Sequence, residues 1–586
     1  MKRTRRSTAI ALVLATAYFV ILFATANAVG FVRDEGYYFK AGGEYMGFFD
    51  TLFSSRFLDA FSDAEIERHL GFNTEHPPLA KFTFGIMHRI LHDWLGLTSN
   101  AQGFRAGGFL FAALSVIATF LLGRTLVSPR VGLLAAAGLA CLPRYFFDAH
   151  LACFDVAITA LWTFSLLTFY RALYTKERPN RYALVAAIVF GLALATKLNA
   201  LFLPVVWIFM WWVAPPAPIR FRLERNAKGG FDVSLPPIPK ALIACAVVGP
   251  LVFIAVWPHL WHDTFARIGA YIAFHLRHEH YPISWFHSLL VEPPFPVSFP
   301  VVMSALTIPG PILVLGAMGF GVTAFRVVRH RSRSDTLLLA SIVLPILLIA
   351  LPTTPIFGGV KHWYNAMPAL SIVAARTLDD AVRRLRVHLS RSLEPLLWRR
   401  PSRPGRPGRH GRHMRRVLMA AATTAATSLF LLPGVLGCWF SHPNGIGFYN
   451  ELAGGFRGGA ALGLQRGFWG YYARPLYEAL GRRSNTDRSQ GGLRVFFNRT
   501  NYDSYAMYRR DGVIPSNVTY ANEAAGADIG IAFEQPEHAH QEGAIWATMG
   551  TRPYDGVYQD NVTLVQAYAR GPSSQPPPEV QPDRGK

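Results

Sequence analysis

The sequence predicts a polytopic α-helical membrane protein with about eleven spans and a small α/β domain at its C-terminal end. Three observations lead there. Of 586 residues, 51% are hydrophobic and only 16% are charged, where soluble proteins carry roughly 25% charged residues. Mean hydropathy is +0.23 even though the C-terminal quarter is polar, so the apolar surplus sits in the first ~435 residues, where runs near 20 apolar residues recur. The net charge of +22 gathers in the segments between those runs, which is how membrane proteins orient themselves and argues against a nucleic-acid partner.

The spans are expected near 9–30, 104–123, 131–147, 152–172, 182–198, 200–213, 240–257, 298–325, 337–352, 362–378 and 417–437. The first follows Met-Lys-Arg-Thr-Arg-Arg. A cleaved signal peptide is the rival reading, but the apolar run is long for one and favours a retained helix. With a cytoplasmic N-terminus the inside segments are 1–7, 124–130, 171–181, 214–239, 326–335 and 376–416, all crowded with Arg and Lys; the last holds thirteen arginines against Asp379, Asp380 and Glu394. The outside segment 31–103 is net acidic. One orientation therefore fits the whole chain: a multi-pass protein of the plasma (inner) membrane whose C-terminal domain is extracytoplasmic.

Within 31–103, the stretch 76–95 has Leu79, Phe82, Ile86, Ile90 and Leu91 at helical spacing, interrupted by Lys81, His88, Arg89, His92 and Asp93. That pattern is amphipathic and suits a helix lying in the interface. Residues 1–437 form the membrane domain; 399–416 is a basic cytoplasmic loop that would sit on anionic lipid. Residues 438–570 form the outer domain, with strands expected at 494–498, 517–521, 527–534 and 561–570 and a helix at Tyr502–Arg510. The tail 571–586 is proline-, serine- and charge-rich and reads as disordered. Cys141, Cys153, Cys245 and Cys438 have neither disulfide nor zinc spacing. Asn498, Asn517 and Asn561 head glycosylation sequons but read as strand and turn residues.

The chemistry gathers on the outer side. Asp34 and Glu35 stand at the outer mouth of the first helix, where a carboxylate can serve as a general base or a metal ligand. Ordinary interfacial polarity is the plainer account of the same pair. His76-Pro-Pro-Leu-Ala-Lys81 follows; its prolines stiffen the entry to the amphipathic helix and would set His76 and Lys81 at the lipid surface, near a phosphate headgroup.

Asp-Glu after helix one followed by HPPLAK resembles the protein O-mannosyltransferase and aminoarabinose-transferase group, which are GT-C fold enzymes using polyprenyl-phosphate sugars. The likeness continues through Arg144-Tyr-Phe-Phe-Asp-Ala-His-Leu-Ala-Cys-Phe-Asp155, GLALATKLNALFLP (191–204), GGVKHWYNAMPAL (358–370) and HPNGIGFYNELAGGFRGGA (442–460). The resemblance implies a GT-C-like fold and transfer of a sugar from a polyprenyl-phosphate donor to an acceptor hydroxyl, on a protein or an envelope glycolipid, with inversion. It implies Asp34 as catalytic base, Glu35 and Asp155 (preferred over Asp148) as further acidic groups, and His76, Lys81, Arg144, Lys361, His362 and Tyr364 around the leaving phosphate. It implies no cofactor, although a divalent metal is conceivable in the histidine-rich loop 258–297. The HPPLAK form is nearer the protein mannosyltransferases, whereas the outer domain is not the β-trefoil of the eukaryotic ones, which leaves the acceptor open. The rival functions are a transporter or lipid-linked-sugar flippase and a membrane-anchored binding protein. A transporter is expected to show an internal repeat and charges at the midplane, and neither is evident.

Overall fold

The structure, a computed structural model of the chain, describes residues 2–216, 222–225, 231–234, 238–277, 279–356, 358–397, 409–486, 492–536 and 539–570. Among the described residues, six helices have the length and apolar composition to cross a membrane: Arg5–Ala28, Asn100–Leu126, Phe154–Tyr174, Gly310–His330, Arg333–Ala350 and His413–Ser441. Four shorter apolar helices accompany them, Pro129–Ala140, Pro179–Leu194, Leu198–Val213 and Lys240–Val256. Val20, Val247, Leu251, Val314, Met318 and Leu429 are exposed on their outer surfaces. In water such a surface is a liability, whereas in a bilayer it meets hydrocarbon. The chain is a multi-pass membrane protein.

Six helices recur below: α1 (Lys2–Thr25), α2 (Arg33–Leu52), α3 (Leu79–His88), α4 (Asn100–Leu126), α5 (Phe154–Tyr174) and α6 (Met367–Leu397). The elements depart from the sequence expectation where proline or charge intervenes. The run 131–147 ends as a helix at Ala140 and restarts as the short helix Pro143–Asp148. The run 298–325 is two helices, Phe299–Thr307 and Gly310–His330, because Ile308 precedes Pro309 and takes an extended backbone (φ −89°, ψ 132°). The run 362–378 is a 3₁₀ segment, Gly359–Ala366, leading into α6. α6 is not among the apolar helices above; beyond its apolar start it carries Asp379, Arg383 and Arg386. The segment 76–95 is α3 continued by a π-helical stretch, Arg89–Trp94. Lys81, expected at the lipid surface, is instead fully buried. Within the first outer segment α2 and the helix Asp63–Leu70 were not anticipated. Of the basic segment 399–416, residues 399–408 lie outside the described residues and 409–416 open the helix Arg409–Ser441 rather than a loop. The tail 571–586 lies outside the described residues.

The outer domain holds a five-stranded sheet of β1 (Leu493–Phe497), β2 (Val518–Ala521), β3 (Ile529–Phe533), β4 (Asp555–Gln559) and β5 (Val562–Ala569), in the order β2-β1-β3-β5-β4. β1 runs parallel to β2 and β3, while β5 runs antiparallel to β3 and β4. Helix α7 (Tyr502–Arg510) crosses between β1 and β2. The strand β4 was not expected from the sequence. It pairs with β5 across Asp560-Asn561, both at positive φ (49° and 63°), the two-residue turn that Asp and Asn tolerate. The apolar core runs unbroken from the membrane helices into this sheet through Phe31, Tyr471, Tyr477, Tyr508 and Phe497, and the rings of Phe31 and Tyr508 stack at 4.0 Å.

Candidate active site

The loop after α1 is shaped by one arginine. Arg105, near the start of α4, donates to the carbonyls of Ala26 (3.1 Å), Val29 (2.9 Å) and Gly30 (2.5 Å). Its remaining fork grips Glu35: Nε reaches Oε1 at 2.8 Å and Nη2 reaches Oε2 at 2.7 Å. The Glu35 carboxylate also accepts the amides of Val32 (3.2 Å) and Ala152 (2.9 Å). Both side chains are buried. A guanidinium has five N–H donors in a planar fork, and here they fix the chain that delivers α2. Glu35 is thereby saturated and holds the backbone of this turn.

Asp34 sits one residue earlier, about 100° around the helix. Its side chain is 29% exposed and lies 3.6 Å from Nζ of Lys361. The outer domain braces this turn from above. Arg33 donates its amide to the carbonyl of Trp469 (2.9 Å), and its own carbonyl accepts from Nδ2 of Asn501 (2.8 Å). The amides of Gly30 and Phe31 donate to the hydroxyls of Tyr471 (3.3 Å) and Tyr508 (2.5 Å). Gly36 permits the close approach, since a Cβ there would meet Oδ1 of Asn501 and Oγ of Ser504 at 2.5 Å.

Lys361 is the hub. Gly358 and Gly359, at φ +79° and +62°, turn the chain into the 3₁₀ segment in a conformation glycine adopts readily. They bring Lys361 over the Trp469 ring, 3.5 Å from its centre. Burial works to lower the Lys361 ammonium, but Asp155, Asp34 and Asp148 outweigh it and hold the group above its ordinary value. Asp155, at the start of α5, pairs with Lys197 at 2.6 Å. Asp148 accepts a hydrogen bond from the Tyr364 hydroxyl at 2.5 Å; burial pushes its carboxyl up to about 7 against the lowering effect of Tyr364. His362 follows Lys361 on the same segment, its Nε2 turned toward Gly358.

Arg144 donates Nε to the Phe448 carbonyl (2.9 Å) and rests on the Tyr449 ring at 4.8 Å. Its Nη2 is buried and has no hydrogen-bond partner among the described residues. With Tyr364 it lines a small cleft whose other walls include Tyr145, Ser304, Thr307 and Trp363. Lys81 does not reach this cleft. Its Nζ donates within its own neighbourhood, to the Tyr45 hydroxyl (2.9 Å), the Asn73 carbonyl (2.6 Å), Asn73 Oδ1 (3.2 Å) and the His76 carbonyl (2.8 Å). It therefore fixes the loop that carries His76. The His76 ring lies among Tyr38, Phe154 and His275, and burial with nearby Lys81 drives its pKa well down.

The structure thus gathers Asp34, Asp155, Lys361 and Tyr364 with Asp148, Lys197 and Trp469, and sets Glu35 and Lys81 into supporting positions. Lys197 and Asp148 lay within the motifs quoted from the sequence. Trp469 and Arg105 carried no comparable signal, although a charged residue at the head of an apolar helix was visible at Arg105. In the histidine-rich loop, His262 bonds the Phe61 carbonyl, His275 the Tyr271 carbonyl and His287 the Ala461 carbonyl, while His278 lies outside the described residues. That loop forms no metal-holding group among the described residues.

Residues 75–224 match the family described as dolichyl-phosphate-mannose-protein mannosyltransferase. No curated protein matches the chain by sequence. Among solved structures, ArnT from Cupriavidus metallidurans bound to undecaprenyl phosphate aligns with a TM-score of 0.52 at 13% identity, over 95% of this chain and 97% of that one. Its apo state aligns at 0.51 and 14% identity over the same shares. The chain has the same fold, the GT-C-like architecture implied by its motifs.

Proposed function

We propose that this chain is a glycosyltransferase that moves a sugar from a polyprenyl-phosphate donor to an acceptor hydroxyl at the outer face of the membrane. The observation that carries the reading is Asp34, a partly exposed carboxylate 3.6 Å from Lys361 in a turn braced by both halves of the molecule. Asp34 takes the proton of the acceptor hydroxyl as its oxygen attacks the anomeric carbon. The bond from that carbon to the phosphate oxygen breaks, and polyprenyl phosphate leaves with the bonding electrons and an inverted product. General-base help of this kind is worth about 10²–10⁴-fold. Lys361 and the unpartnered Nη2 of Arg144 meet the negative charge growing on the leaving phosphate, while the Tyr364 hydroxyl keeps its proton on Asp148. The family match over 75–224 and the undecaprenyl phosphate bound by ArnT support a polyprenyl-phosphate donor. The acceptor is a protein or glycolipid hydroxyl, the membrane is the plasma membrane, the N-terminus is cytoplasmic and the outer domain is extracytoplasmic.

The test is donor turnover by the purified chain. Wild type releases polyprenyl phosphate from its sugar conjugate when acceptor is present, and Asp34→Asn binds the conjugate without releasing it. Full release by Asp34→Asn would remove Asp34 from the chemistry.

A further inference from the structure

Away from this site, where α3 gives way to the π-helical stretch Arg89–Trp94, three side chains meet that the transfer reaction does not use. One ligand atom each from His88, His92 and Asp93 lies within 4.8 Å of the other two. From His88, i→i+5 winding carries residues 92 and 93 to either side of the point one turn on, so that both face back toward it. The His88 Nδ1 lies 3.6 Å from Oδ2 of Asp93, near the spacing of two ligand atoms on one tetrahedral ion.

The surroundings hold the rings as a metal site would need. His92 Nδ1 is 2.7 Å from the Thr98 carbonyl. A carbonyl only accepts, so Nδ1 carries the proton and Nε2 keeps its lone pair, the arrangement by which outer partners set a ligating histidine. His88 lies flat on Phe104 of α4, ring centres 4.0 Å apart and planes 18° apart. Gly103 makes that packing feasible, since a Cβ there would come within 3.1 Å of the His88 backbone and 3.2 Å of its ring. Asp93 is nearly half exposed, which leaves an entry path from solvent.

We infer that His88, His92 and Asp93 form a divalent-metal site of the zinc class, two imidazoles and one carboxylate with the fourth position open to water. This donor set suits zinc rather than magnesium or calcium, which prefer all-oxygen shells. A bound ion would lock the end of α3 to its π-helical continuation, beside the head of α4, where Asp511 of the outer domain accepts from the amides of Asn100 (2.9 Å) and Ala101 (3.2 Å). The site is independent of the proposed transfer chemistry.

The test uses the full chain purified in detergent and freed of metal with a chelator. Titrated with Zn²⁺, wild type is expected to take up one tight equivalent and to gain thermal stability. With Co²⁺ it should show the visible absorption of a tetrahedral nitrogen-and-oxygen site. His92→Gln, and separately the exposed Asp93→Asn should the first fail to fold, is expected to weaken binding by tenfold or more and to lose the thermal gain. Wild type that binds no stoichiometric Zn²⁺, or variants that bind it as tightly as wild type, would overturn the inference; the second result would place the ion elsewhere, for instance among the histidines between 259 and 287.

Discussion

The clamp around Glu35 and the mouth around Asp34 are one residue apart in the chain and opposite in character. Glu35 is dry and saturated, with two bonds from Arg105 and two from backbone amides. Asp34 is partly exposed, and its only ion pair among the described residues is the one to Lys361 at 3.6 Å. The difference follows from the helix: successive residues point about 100° apart, so the first turn of α2 sends Glu35 into the packing against α4 and Asp34 toward Lys361. A buried pair with every lone pair met holds a backbone in place but has nothing left for a substrate. A carboxylate beside a lysine and open to solvent can exchange a proton. Under the proposed function the two carboxylates divide the work, Glu35 setting the geometry that Asp34 uses.

Four outcomes break or sharpen that division. Asp34→Asn should lower the rate of sugar transfer by about 10²–10⁴-fold with the melting temperature in detergent unchanged; a large loss of stability would make Asp34 a second structural residue. Glu35→Ala should do the reverse in kind, destabilising the fold by about 3–5 kcal/mol through the unpaired Arg105 it leaves buried, as read by thermal unfolding.

Asp148 gives a pH signature. Its carboxyl is raised from an ordinary 3.8 to about 7, so the folded chain keeps a proton that the unfolded chain releases. That contribution to stability is full below about pH 4 and fades as pH rises to about 7, at no more than about 1.4 kcal/mol per unit. Asp148→Asn should remove this slope from the difference between variant and wild-type melting curves, and an unchanged slope would mean that Asp148 is ionised throughout. Trp469→Phe should have the smallest effect: it keeps an aromatic ring at this buried position but offers a weaker face to the ammonium, a loss of about 0.5–1 kcal/mol of support for Lys361, seen as a rate reduced about two- to fivefold with little change in stability.

The sequence made the membrane helices, the outer α/β unit and the acidic pair legible, because long apolar runs, alternating strands and adjacent carboxylates are local patterns. What it hid was pairing at a distance. Nothing near Glu35 announces Arg105, seventy positions later, nor does HPPLAK announce that Lys81 turns inward to Asn73 and Tyr45; an amphipathic pattern does not say which polar residue is caged and which is wet. Asp155 and Asp148 both reach the site, one through Lys197 and one through Tyr364, so choosing between them from motif position alone divided a pair that the fold uses together. The break at Pro309 was visible locally but lay inside a long apolar run.

Sidedness tests the account most directly. In sealed, right-side-out vesicles loaded with a polyprenyl-phosphate sugar in the membrane, acceptor is supplied to the outside only and glycosylated product is measured. The expected result is transfer to the external acceptor by wild type and none by Asp34→Asn. Transfer only to acceptor trapped inside, or equal transfer by the two proteins, would contradict it.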